Sequence, residues 1–388
     1  MARRAGGELG TAVLGLYVHV PFCSAICNYC NFNRGLLDEG LKARYVAALV
    51  EEIRSAGRTR GAPRAADTIY FGGGTPSLLE PVEVAAVVRA CRQTFDVARD
   101  AEVTLEANPE TVSEERLAEI RAAGVNRLSF GVQSFRDVEL ARLSRLHDAA
   151  RARQARAWAR AAGFDNVSLD LMMWLPGQSL DEWMESVEAL IALEPDHASL
   201  YLLELYPNAP LQDEMARTGQ GRVTEDEAAE MYLAAMSRLE TTGLAQYEIS
   251  NVARPGRRSR HNLKYWTDGA WLGFGCGAHS TSDGVRWKNV AGTEDYVGRL
   301  TAGRSPVSER GELAPEARAE EALFMGLRLS DGVDIESVGR TYGFDVWERY
   351  GGPLTPSIDA GLLQRDGPRL RLTRQGMLLS HEIMAVFV

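Results

Sequence analysis

This 388-residue sequence predicts an α/β fold built on a parallel sheet, with a smaller α+β unit at the C-terminal end. Three observations lead there. Six apolar, strand-like runs alternate with amphipathic helical stretches over residues 14–242. The polar exceptions to those runs fall at or just beyond their ends. Past Glu309 the alternation gives way to short helices and a hairpin signal. With 45% apolar and 25% charged residues, the chain has an ample core and room for more than one domain.

The first apolar run, 11–22, reads as a strand. Arg3 and Arg4 ahead of it give the look of an export signal, yet the run contains His19 and lacks a small-residue cleavage site. Leu41, Tyr45, Leu49 and Ile53 then recur at helical spacing. A second strand, 68–71, ends in the turn Gly72-Gly-Gly-Thr-Pro-Ser77. Pro81, a favoured first-turn residue, opens a helix with Val84, Val87, Val88, Cys91 and Phe95 on one face, which makes Cys91 a core cysteine. Strands follow at 102–105, 127–132, 166–171 and 197–203, with helices at 113–123, down to about 162, from Ser179, and at 225–242. Ser179 with Glu182, and Thr224 with Glu227, are capping boxes, in which each side chain satisfies the other residue's free amide. Six such units argue for a parallel sheet, either open and doubly wound or curled as part of a barrel. Beyond Glu309, helices at 317–329 and 335–342 and a hairpin at 362–373 turning at Asp366-Gly367 fit a winged-helix-like unit. Lacking a strongly basic helix, it fits an interaction or lid role better than DNA binding.

The 43 basic and 53 acidic residues give a net charge of −10, a field that repels nucleic acid. Two local basic runs, 58–64 and 254–260, read as solvated loops. No stretch is long and uncharged enough to span a bilayer, and a cytoplasmic protein is expected.

Chemistry concentrates in 17–32, which packs Cys23, Cys27 and Cys30 into eight residues. Soft thiolates select zinc, copper(I) or iron–sulfur clusters, and a cubane held by three cysteines keeps one iron without a protein ligand. His19, four residues ahead of Cys23, keeps a Cys3His zinc site open as the rival, and a disulfide is the third reading. The strand-end residues are the glycine turn, Glu106, Gln133 and Asp170. Each alone could be a tight turn, a helix cap or a loop contact. In a parallel α/β fold they converge at one mouth.

The spacing Cys-x3-Cys-x2-Cys resembles the signature of radical S-adenosylmethionine (SAM) enzymes. Together with Tyr17-Val-His-Val-Pro-Phe-Cys, Gly72 to Ser77, Glu106-Ala-Asn-Pro-Glu, Gly131-Val-Gln-Ser-Phe, Arg145-Leu-His and Asp170 to Gly177, it resembles the oxygen-independent coproporphyrinogen III dehydrogenase-like family from about Leu14 to the C-terminus. That resemblance implies a partial, six-unit β/α barrel of radical SAM type. It implies a tail at 1–13, a core at 14–245, a linking segment at 246–308 and a family-specific C-terminal domain at 309–388. By the same implication Cys23, Cys27 and Cys30 hold a [4Fe–4S] cluster. Tyr17, Gly73, Gly74, Thr75, Glu106, Gln133, Arg145 and Asp170 would contact SAM, and Tyr29 would line the cluster or a second SAM. Arg145 suits a forked contact with a carboxylate, although its arginine-rich helical stretch otherwise reads as surface charge.

Three departures separate the chain from the dehydrogenase branch: Phe32 where that branch has a fourth cysteine, only 22 residues before Cys23, and His261-Asn-x-x-Tyr265-Trp266. The last resembles a pattern of the family's heme-chaperone branch. The resemblance implies a protein that binds heme and passes it to an acceptor hemoprotein, a respiratory one among the candidates, working as monomer or homodimer. His261 would ligate heme iron, Tyr265 and Trp266 would lie along the porphyrin, and nearby arginines would pair with propionates. A structural plug against the barrel mouth is the other reading of the motif, and Cys276 and His279 remain alternative ligands. The alternative activity is oxidative decarboxylation of coproporphyrinogen III.

Overall fold

A computed structural model describes residues 13–58, 63–207, 209–219, 221 and 223–388. The Arg3-Arg4 pair, nearly all of the expected tail and the middle of the first basic run lie outside the described residues.

Six parallel strands pair in sequence order: β1 (Leu14–Val20), β2 (Ala65–Gly73), β3 (Asp96–Ala107), β4 (Arg127–Gln133), β5 (Val167–Met173) and β6 (His197–Leu202). Sequential parallel neighbours joined by helices give the partial β/α barrel. The expected strands stand, most of them longer than their apolar centres. Both capping boxes form, opening the helices Leu180–Ala192 and Glu225–Glu240.

Each strand alternates between two environments. Leu14, Leu16, Val18 and Val20 of β1, with Leu128, Phe130 and Val132 of β4, are buried against the surrounding helices. Tyr45, Leu49 and Ile53 of the Glu39–Arg58 helix meet this layer, as do Val84, Val87 and Cys91 of the Pro81–Thr94 helix. Full burial pushes the Cys91 thiol up to about 12, the behaviour of a core cysteine. The opposite face, pointing into the barrel, is polar along much of its length. Thr68, Glu102, Thr104, Arg127, Ser129, Ser168, His197 and Ser199 are all buried there. The polar residues are therefore a whole face of period two, rather than tips added to apolar strands.

The stretch expected as a link extends the sheet at both edges. Ala245–Glu248 and Asn251–Ala253 add antiparallel strands beyond β6, while Trp271–Phe274 runs parallel to β1 and leads an antiparallel meander through His279–Ser282, Val285–Asn289 and Val307–Glu312. Between the two edges the Arg260–Trp266 helix crosses beneath the barrel. Its first amides donate to Glu102, Arg260 N at 3.0 Å and His261 N at 3.1 Å.

The C-terminal unit combines a three-stranded antiparallel sheet, Val333–Asp334, Arg369–Leu372 and Leu363–Asp366, with helices Pro315–Gly326, Ile335–Tyr342 and Val346–Asp359. The hairpin turns at Asp366-Gly367, with Gly367 at φ 56°. The helix Val346–Asp359 escapes sequence reading because it contains Gly351, Gly352, Pro353 and Pro356. Burial of Val346, Tyr350 and Leu354 outweighs those unfavourable residues. The unit is clamped to the barrel edge by Arg328, which pairs with the fully buried Glu248 at 2.5 Å.

Candidate functional site

The barrel mouth lies where the six strands end. Cys23 closes the two-residue strand Phe22–Cys23, paired in parallel with Gly35–Leu36, and the loop between carries Cys27 and Cys30. Gly35 N donates to Pro21 O at 2.7 Å and Leu37 N to Cys23 O at 3.0 Å, which pins the loop at both ends. The glycine turn after β2 packs against it. A Cβ on Gly74 would stand 2.7 Å from Phe22 O and 3.0 Å from Cys23 Sγ, so only glycine lets the turn lie this close. Gly73 adopts φ +117°, where a Cβ would meet the His19 ring at 2.6 Å.

Under the loop is a cavity of about 400 Å³. All three cysteines, Tyr29, the turn Gly73 to Thr75, Glu106, Gln133, Arg145 and Asp170 line it. Tyr17 lies one layer deeper, beside Tyr70, with its hydroxyl 3.0 Å from His19 Nδ1.

Glu106 accepts from the Tyr70 hydroxyl at 2.7 Å and from Gly73 N at 3.2 Å. Burial pushes its carboxyl up to about 7 despite those donors. Burial also raises Asp170, which accepts from Ser129 Oγ at 3.1 Å and Ser168 Oγ at 3.1 Å. Arg145, which the resemblance implied as a SAM contact, lies half-buried among the strand ends. It donates to Asn108 Oδ1 at 2.7 Å, to Gly131 O at 2.9 Å and to Cys27 Sγ at 3.4 Å. Gln133 stands at φ 70°; its Oε1 and Arg145 Nε are buried without a hydrogen-bond partner.

The donor set fits a cubane better than zinc. His19 has both ring nitrogens engaged, one by Tyr17 and the other donating to Asn33 O at 2.8 Å. Among the described residues no three His, Cys, Asp or Glu side chains converge on one point, as ligands of a single zinc must. Three cysteines within eight residues match the donor count of a cubane that keeps one iron free of protein ligands. All five cysteines are free, which removes the disulfide reading.

His261, Tyr265 and Trp266 are not brought to this cavity. His261 is fully buried at the far end of the barrel, with Nδ1 2.8 Å from Thr68 Oγ1 and Nε2 2.9 Å from the Tyr265 hydroxyl. The expected open axial ligand is absent from this arrangement because both nitrogens are taken. The motif does plug the barrel, but at its base rather than its mouth. The neighbouring arginines face carboxylates of the chain: Arg257 with Asp165, Arg258 with Asp331 and Arg260 with Asp67. Cys276 is buried beside Tyr45, and His279 lies on an outer strand.

Sequence reading passed over Asn108, which sits inside the quoted Glu106-Ala-Asn-Pro-Glu motif, and Arg34, whose guanidinium reaches the carbonyls of Cys30 and Phe32. It also missed the rim of the cavity, where Phe32, Tyr201, Leu202 and Tyr206 are exposed. Nothing in the local pattern distinguishes these side chains from strand-end packing.

Residues 17–190 match the radical SAM superfamily, and residues 313–379 match the HemN C-terminal domain. The chain is 35% identical to the heme chaperone HemW of Bacillus subtilis over 96% of this chain and 98% of that one. It is 38% identical to the heme chaperone HemW of Mycobacterium tuberculosis over 95% and 93%. Coproporphyrinogen III oxidase (HemN) from Escherichia coli has the same fold, with a TM-score of 0.85 at 22% identity, covering 97% of this chain and 90% of that one. Identity at that level over nearly the whole of both curated chains places this protein in the HemW family of the radical SAM superfamily.

Proposed function

We propose that this protein is a heme chaperone: it holds a [4Fe–4S] cluster on Cys23, Cys27 and Cys30, takes up exchangeable SAM in the cavity beneath, and binds heme for delivery to an acceptor hemoprotein. The observation that carries the reading is the convergence of three cysteines, a glycine turn and two half-buried carboxylates on one cavity. A cluster held by three cysteines offers an open iron to the amino and carboxylate groups of SAM.

The chain's own residues supply the rest. Gly73 and Gly74 bring backbone close to the ligand. Glu106 and Asp170 are placed to accept from an ammonium or from ribose hydroxyls. Gln133 and Arg145 add an amide and a guanidinium to the polar wall of the cavity. The Arg145 contact to Cys27 Sγ is of the kind that tunes a cluster's potential. For heme, the exposed apolar rim of Phe32, Tyr201, Leu202 and Tyr206 is a surface onto which a flat macrocycle can stack. His261 is left out of that contact because its nitrogens are bonded.

Anaerobic cluster reconstitution followed by heme titration with and without SAM tests this. Iron and sulfide in cluster stoichiometry with saturable heme binding are expected. Turnover of coproporphyrinogen III to protoporphyrinogen would replace the chaperone reading with the decarboxylase, and bound zinc without sulfide would sink both.

A further inference from the structure

The base of the barrel is tied to the cavity by two chains of contacts, both starting at the Arg260–Trp266 helix. In the first, the His261 ring stacks on Tyr70, centroids 5.0 Å apart and planes at 24°. The Tyr70 hydroxyl in turn donates to Glu106 at 2.7 Å. The column has no slack. A Cβ on Gly15 would stand 3.0 Å from His261 Cε1, and one on Gly72 would stand 3.0 Å from the Tyr70 ring and 3.3 Å from Glu106 Oε2. His261 cannot swing, since Thr68 and Tyr265 hold its two nitrogens.

The second chain starts at Ser259, the residue that caps the helix. Ser259 N donates to the Tyr247 hydroxyl at 3.3 Å, which lies 2.8 Å from His197 Nε2. His197 Nδ1 lies 2.8 Å from Ser168 Oγ, and that hydroxyl donates to Asp170 at 3.1 Å. Burial holds His197 neutral, so it can pass one donor on while accepting another. Every donor can then point toward the Asp170 carboxylate, and hydrogen bonds aligned head to tail strengthen one another.

We infer that His261 is a positioning residue for the cofactor cavity, fixing Glu106 through Tyr70, while the cap of the same helix fixes Asp170 through Tyr247 and His197. The helix is a base plate for two cavity carboxylates, and the His-Asn-x-x-Tyr-Trp motif acts on the SAM ligand instead of supplying an iron ligand. The inference rests on the proposal that the cavity takes SAM.

The test uses cluster-loaded full-length protein and two variants, His261→Ala and Tyr70→Phe. Tyr70→Phe keeps the stacked ring and removes only the hydroxyl, so it reads the chain even if His261→Ala fails to fold. Three quantities are measured: SAM affinity, the electron paramagnetic resonance signal of the reduced cluster with and without SAM, and heme affinity. Both folded variants are expected to bind SAM at least tenfold more weakly and to show a diminished SAM-induced change in the cluster signal. Heme affinity is expected to stay within about twofold. SAM binding and cluster signal unchanged in both variants would overturn the inference, as would loss of heme affinity alone in His261→Ala. A parent protein that binds no SAM would instead overturn the cavity assignment, and the inference with it.

Discussion

The two ends of the barrel use the same residue types to opposite effect. At the base, His261, Thr68, Glu102 and Tyr265 bond to one another, with no exposure at His261 and no unmet ring atom. At the mouth, Glu106, Asp170, Gln133 and Arg145 are only half-buried and line a cavity of about 400 Å³. The difference teaches that burial alone does not mark a ligand site in this fold. Polar groups gathered from several strand ends around one open volume do.

The sharpest break of the comparison is at the cysteines. Replacing Cys23, Cys27 or Cys30 with Ala should abolish cluster loading, read as iron and sulfide at background, while far-ultraviolet circular dichroism stays unchanged because the continuous core lies elsewhere. Arg328→Ala leaves buried Glu248 without its charge partner and should cost about 3 kcal/mol in denaturant unfolding, with the cavity untouched. Gly74→Ala should cost about 2 kcal/mol and depress cluster loading, since the new methyl meets Phe22 O and Cys23 Sγ. Gly35→Ala, on the strand paired with Phe22–Cys23, where nothing lies within 4 Å, serves as the silent control. At the base, Thr68→Val strands a buried imidazole nitrogen and should cost about 1.5 kcal/mol.

The finest contrast is in pH. The Glu106 carboxyl is raised to about 7 in the folded protein, so the fold holds its proton more tightly than the unfolded chain does. Its contribution is fully present below about pH 4.5 and is lost as pH rises through about 7. Glu106→Gln should therefore flatten the decline in unfolding free energy of the cluster-free protein between pH 5 and pH 8, by up to about 2 kcal/mol. An undiminished decline in the variant would assign it to other groups, Glu52 first, whose carboxyl burial also raises to about 7.

What the sequence made legible was local. Capping boxes at Ser179 and Thr224, the turn at Asp366-Gly367 and the periodicity of the six units all depend on residues within a few positions of each other, and all form. The cavity residues were legible because their motifs sit at strand ends, which a parallel fold gathers at one mouth. What stayed hidden was long-range. Arg145 meets Cys27 across 118 residues, and His261 meets Thr68 across 193, so the local pattern alone reads the first as surface charge, and only the family resemblance pointed it to SAM, while the second read as an open ligand. Val346–Asp359 was hidden for the opposite reason: its local signals favour a loop, and only tertiary packing overrides them.

The loop that carries the cysteines is fastened at both ends by backbone bonds that involve no sulfur. Iron acquisition is therefore separable from chain assembly. A chelator should strip the metal and leave the scaffold standing, ready to be recharged, in contrast to a zinc finger, which unravels with its ion.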